Sequence, residues 1–201
     1  MSDQALKDIR KDTYLMMHKV EQMLELTEDA FMKSHVQSLD QSIGIGSEVK
    51  AMEDVLTEKL AKLGNTYPQA RAVLPVPLYV EKIALNIERI TESIRTKIKD
   101  GLLFSDKAIR ETGQLLTKGK ETLKRTSELM VTGSPASAEA VKKETEAMVA
   151  MARQFATAHE DRLIAGECSP KSSSVYLCMV YAFEDIASLI RDAVDRKMSQ
   201  Q

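Results

Sequence analysis

Along this chain, apolar and small residues recur at alternating spacings of four and three in six separate stretches, with polar residues between them. Such spacing lays one stripe along one face of an α-helix and buries it against neighbouring helices. The first stretch is Ile9, Thr13, Met16, Val20, Met23, Thr27, Ala30. The second follows a weak point at Gly44 and Gly46 and runs Ile45, Val49, Met52, Leu56, Lys59, Leu63, with Leu60 filling the place that Lys59 leaves. Gly64-Asn65 is a suitable stop for it. The third, Val76, Val80, Ile83, Ile87, Ile90, Ile94, is the cleanest and closes near Asp100-Gly101.

The pattern resumes with Ile109, Thr112, Leu116, Gly119, Leu123, Thr126, Met130 and ends at Gly133. Ser134-Pro135 then supplies a cap residue and a first-turn proline for the next helix. Val141, Thr145, Met148, Ala152, Phe155, His159 form the fifth stripe, which stops near Gly166. The sixth opens after Ser169-Pro170 with Val175, Met179, Ala182, Ile186, Leu189, Ala193, and carries basic residues in its last turns, as the helix dipole favours. Helices of about 25 to 30 residues span roughly 35 to 45 Å, and short connections lay consecutive ones antiparallel. The expected fold is all-α: six long antiparallel helices as two repeated three-helix bundles, residues 1–100 and 101–201, packed together as one bundle. The linking "DGLLFSD" is short and partly apolar, unlike a flexible tether.

Composition agrees, since 8 glycines and 5 prolines in 201 residues provide too little turn chemistry for a β-sandwich or barrel. Lys and Arg number 28 against 30 Asp and Glu, and the formal net charge of -2 offers no general attraction to a phosphate backbone or an anionic membrane. Nucleic acid is therefore not an expected partner. Cys168 and Cys178 match neither a redox C-x-x-C nor a four-ligand zinc pattern, so they read as thiols of a reducing, cytoplasmic compartment. Charges alternate at the N-terminus where a signal peptide would be apolar. The longest apolar run, Ala72 to Val80, contains Pro75 and Pro77 and is far shorter than the ~20 residues of a spanning helix. No membrane insertion is expected.

Candidate chemistry is sparse. "IGIGSEV" has Val49 where a dinucleotide loop needs a third glycine and has no strand before it, so Gly44 and Gly46 read as a helix kink or break. His18, His35 and His159 form no His-x-x-x-His pair, and none has a Glu three residues before it, which sets aside a ferritin-like di-iron bundle. The 11 methionines read as core fillers in preference to a partner-binding groove. No nucleophile sits in a recognisable base or oxyanion motif.

The carboxylates of the third and sixth helices carry more. In "NIERITESI", Glu88 and Glu92 lie one turn apart on a face that includes Glu81, and like charges at that spacing repel by roughly 0.2–0.5 kcal/mol. Glu88 has Ala84, Leu85, Thr91 and Glu92 as its helical neighbours, so any cation must come from another helix. Glu184 of "AFEDIASLI" is in the same position, among Val180, Tyr181, Ala187 and Ser188. Hard oxygen ligands converging from adjacent helices hold cations such as Mg, Mn, Fe or Ca. The plainer reading is that these acids are solvated or paired to a Lys or Arg of the next helix.

Three long helices occurring twice, a proline before the third, and "KIALNIERITESI" near its end together resemble the PhoU-like family of bacterial phosphate-uptake regulators. The resemblance spans nearly the whole chain and includes "LMMHKVEQMLELTEDAF", "GSEVKAMEDVLTEKL" and "VYLCMVYAFEDIASLI". It implies a cytoplasmic, non-enzymatic regulator of phosphate transport and phosphate-response signalling that contacts a transporter subunit or a sensor kinase. Separately, long amphipathic helices with short loops leave ends and faces for self-association, so a homodimer is a further expectation. The resemblance also implies acidic metal-binding motifs on the third helix of each repeat. Glu88 and Glu92 match the first and Glu184 the leading acid of the second. With Glu81 they are the candidate ligands for a divalent or iron-type metal ion, and a metal-binding bundle is the alternative function. The departures are specific: Thr91-Glu92 and Ala187-Ser188 replace the usual Gly-Asp, and "GSEVK" has Ser47 and Lys50 where carboxylates are expected, keeping only Glu48. Fewer hard ligands make a weaker site, so any stable cluster is expected to be absent or confined to the first repeat.

Overall fold

The computed structural model describes residues 3–199, which are helical almost throughout and contain no strand. The elements are α1 (Asp3–Lys33), α2 (Val36–Gly64), a short α3 (Pro68–Ala72), α4 (Val76–Lys99), α5 (Asp106–Thr132), α6 (Pro135–Ile164) and α7 (Pro170–Met198). Six are long, matching the six stripes. Every position of the α1 stripe from Ile9 to Ala30 and of the α4 stripe from Val76 to Ile94 is buried. Ile109 is the exception on α5: it is 39% exposed, and Ala108 takes the inward place. Met16, Met17, Met23, Met130, Met148 and Met179 are buried in the core, as gap filling requires.

Helix ends follow from local chemistry. Ser105, Ser134 and Ser169 cap α5, α6 and α7, each side-chain oxygen accepting a backbone N–H three residues on. Gly133 ends α5 in the left-handed region at φ 63°, where its N–H donates to the Leu129 carbonyl at 2.9 Å.

Two expectations need correction. The helix break at Gly44 and Gly46 does not occur: α2 begins at Val36 and passes through both glycines. Its first turns bury Ser38, Leu39 and Ser42, so hydroxyls stand where the apolar period would have shown. They are satisfied internally, Ser42 donating to the Met23 carbonyl at 3.1 Å. The short α3 was also not signalled; it places Ala70 and then Val73 as plugs, both buried.

α1, α2 and α4 pack against one another, as do α5, α6 and α7. The two trios meet where α4 lies along α7 and α1 along α5. At the second seam Gly119 of α5 lets the backbone approach closely: a Cβ there would lie 3.1 Å from Leu24 Cδ2 and 3.2 Å from Phe183 Cε1. α7 alone is long and apolar enough to cross a bilayer among the described residues, and 50% of its apolar window is buried in the bundle, as in a core helix. Cys168 and Cys178 are free and half-buried.

Candidate functional site

The acidic face of α4 turns toward α2, and the two helices settle its charges unequally. Lys50 of α2 reaches Glu81 at 3.2 Å while also holding Glu53 at 3.0 Å and Asp54 at 3.2 Å. Arg95 binds Glu92 through Nε at 3.1 Å and Asp40 of α2 through its guanidinium at 2.9 Å. Glu48 pairs with Lys19 of α1. Glu88 has no such partner among the described residues. What it has is room: Gly46 of α2 stands opposite, where a Cβ would clash with Glu88 Oε1 and lie 3.1 Å from Met23 Cε. Burial, then Glu92, then Glu81 push the Glu88 carboxyl above its ordinary range.

Glu184 is not brought to this face. It turns to α6, where Arg153 donates to its Oε1 through Nε at 2.8 Å and through the guanidinium end at 2.7 Å. The nearest link between α4 and α7 is a different pair, Arg89 to Asp185 at 2.9 Å. As placed, Lys50, Arg95 and Arg153 pair with Glu81, Glu92 and Glu184, and Glu88 is the one of the four without an ion-pair partner among the described residues. Among the described residues no group of three or more His, Cys, Asp or Glu side chains is placed to hold a metal ion. Lys50, standing where the resemblance leads one to expect a carboxylate, supplies the cation that Glu81 meets on the α4 face.

A second polar constellation lies inside the α5–α6–α7 trio, and the sequence reading did not find it. Arg162 of α6 grips Glu111 of α5 with two parallel bonds at 3.2 and 2.8 Å, both residues being buried. Tyr176 of α7, fully buried, donates its hydroxyl to the same carboxylate at 2.6 Å. Burial and that bond raise the phenol well above its usual range. His159 of α6 stacks on Tyr176 with ring centroids 4.4 Å apart, and its Nδ1 lies 3.3 Å from Arg162. Three helices are thereby tied through one carboxylate. The available signal was weak: Glu111 and Tyr176 each sit one residue beside a stripe position, and His159 closes one.

No protein-family model and no curated protein matches the sequence. Structure is more informative. The phosphate transport system regulatory protein PhoU from Streptococcus pneumoniae superposes with a TM-score of 0.87 at 11% identity, covering 100% of this chain and 96% of that one. PhoU from Pseudomonas aeruginosa gives 0.80 at 12% identity, covering 100% and 98%. This chain has the PhoU fold. A PhoU-like phosphate regulatory protein from Shewanella oneidensis MR-1 follows at a TM-score of 0.61 and 14% identity, covering 96% and 95%. On this PhoU fold, Glu88 faces a glycine and Glu184 faces an arginine, so two acids that look alike in sequence differ in electrostatic state.

Proposed function

We propose that this chain is a non-enzymatic, cytoplasmic regulator of phosphate transport and phosphate-response signalling that works by protein–protein contact with a transporter subunit or a sensor kinase. The observation that supports this most is the likeness in fold, end to end, to two PhoU structures. Regulation without catalysis requires only that the bundle bind one state of its partner more tightly than another, because a ligand shifts an equilibrium by its differential affinity. The test is affinity capture with the full chain from membranes of cells grown in high and in low phosphate. Transporter subunits or the kinase should be enriched in one of the two; their absence from both samples overturns the reading.

A second reading is favoured by one observation: Glu88 is an uncompensated, half-buried carboxylate flanked by Glu81 and Glu92. A bound cation would supply the positive charge that α2 withholds, with Glu88 as its main ligand. Elemental analysis after incubation with manganese or iron separates the readings. Metal retained by the native chain and lost from Glu88→Gln supports it; a bare native chain removes it.

A further inference from the structure

We propose that the end of the molecule where α1 and α4 begin and α5 and α7 finish binds one monovalent anion of chloride's size, held between Arg10 of α1 and Lys197 of α7. This site is independent of regulation by protein contact and needs no transporter partner. The two side chains share the wall of a cavity of about 20 Å³.

Lys197 is the group that calls for a counter-ion. It is 7% exposed, and its side chain makes no hydrogen bond or ion pair among the described residues. Its Nζ is still open to solvent, unlike the sealed, unpartnered polar atoms of Thr112, Glu144, His159 and Arg162. The charge that acts on it is a like one, that of Arg10. Burial and then Arg10 push the ammonium down to about 8, so at pH 7 it keeps its charge. Arg10 is exposed and has no acid partner either. A buried charge without a counter-charge is unfavourable, and two cations in one concave wall raise the local concentration of anions. An anion between them turns one repulsion into two attractions.

Size and lining select the ion. The void of about 20 Å³ is little larger than the roughly 10–15 Å³ that a single water needs, so it admits chloride or bromide and is too small for inorganic phosphate. Ile9, Val73, Val76 and Met130 make the rest of the wall apolar. Thr13, its neutral polar member, spends its hydroxyl proton on the Ile9 carbonyl at 2.8 Å. Only Arg10 and Lys197 are left as donors, which favours an ion that gives up its hydration easily. α1 belongs to the first trio and α7 to the second, so the bound ion ties the two together at this end.

Thermal melts of the full-length chain at pH 7 test this in sodium chloride, sodium phosphate and sodium gluconate of equal ionic strength, gluconate being too large for the cavity. A ligand that binds only the folded state raises its stability, so the native chain should melt higher in chloride than in either other salt, with a saturable dependence on concentration. Lys197→Met should abolish the chloride gain. Without the anion that variant simply removes the cost of a buried charge, so chloride should also narrow the stability gap between it and the native chain. Arg10→Gln, at an exposed side chain, should raise the half-saturating chloride concentration about tenfold or more. In crystals grown from sodium bromide, an anomalous peak should lie between Arg10 and Lys197. Equal melting in chloride and gluconate, a larger gain from phosphate than from chloride, a chloride gain kept in full by a folded Arg10→Gln, or no bromide in the cavity each overturns the assignment.

Discussion

Glu88 shows how one side chain's neighbours, more than its type, set its effect on stability. Its carboxyl titrates above the ordinary range in the folded chain, because burial and two flanking acids disfavour the charge. The folded state therefore holds the proton more tightly than the unfolded one, and stability falls as pH rises from the ordinary carboxyl range through the raised value. Glu88→Gln should accordingly raise the melting temperature at pH 7 and leave it unchanged near pH 4, where both states are protonated. Thermal melts of the two proteins at both pH values check this. Lys197 is the opposite case: it is 7% exposed beside Arg10 and Thr13, and burial, then Arg10, push its ammonium down to about 8. Between about pH 8 and the ordinary lysine value of 10.5 the unfolded chain binds a proton that the folded one does not, so stability rises with pH across that window. Lys197→Met should stabilise by roughly 1–3 kcal/mol at pH 7, and the gain measured by urea melts at pH 7, 9 and 10 should shrink stepwise. Glu88 was legible as an acid without an intrahelical cation, but Gly46 opposite it was not. A glycine in a helical pattern looks like a break, and only the packing of α2 on α4 shows it to be clearance. Lys197 gave no signal, being a basic residue in a last turn where basic residues are ordinary.

The α5–α6–α7 trio is held by an ionic clamp that no stripe contains. Glu111 accepts two bonds from Arg162 and one from Tyr176, so its buried charge is fully compensated, and the clamp reveals its strength only when one half is removed. Arg162→Met leaves an unpaired buried carboxylate, which costs about 3–5 kcal/mol, whereas a double replacement of Arg162 and Glu111 by apolar residues of similar volume should recover most of the loss. Urea unfolding of both variants tests this, and a single variant within about 1 kcal/mol of the native chain would contradict it. Element positions were largely legible for a simple reason. α4 buries an unbroken apolar series from Val76 to Ile94, and serine caps with following prolines mark the starts of α6 and α7. The first turns of α2 were hidden because Ser38 and Ser42 fill inward positions with hydroxyls. One of them joins a buried trio in which Thr27 lies 3.2 Å from Ser42 and 3.0 Å from Thr91. Thr91 replaces the glycine that the family resemblance leads one to expect, and its hydroxyl completes that contact between α1, α2 and α4.

At the scale of the whole molecule, stripes say that helices bury a face but not which helix receives it. The joining of the trios along α4–α7 and α1–α5 had no counterpart in the spacing. It rests on small and large residues that interlock only once the chain is folded. Gly119 is a point of close approach: it lies under Leu24 of one trio and Phe183 of its own, with Cβ contacts that would already be tight. Of the ion pairs between the trios, Arg89 with Asp185 is exposed enough to contribute little, whereas Lys120 with Glu28 is half-buried and adds to the close backbone approach and the apolar contact at the α1–α5 joint. Gly119→Val adds branched volume against two fully buried side chains that would have to shift to admit it, and overpacking of this kind costs about 1–3 kcal/mol. Relief by a helix-favouring residue is smaller, because Val gains only a few tenths of a kcal/mol over Gly. Because the same side chains serve both trios, they should lose structure together: urea unfolding of the native chain followed by helical circular dichroism and by tyrosine fluorescence should give one coincident transition. Gly119→Val should move that transition to lower urea, or split it if the seam alone opens. A variant with an unshifted midpoint would show that the trios do not depend on this contact.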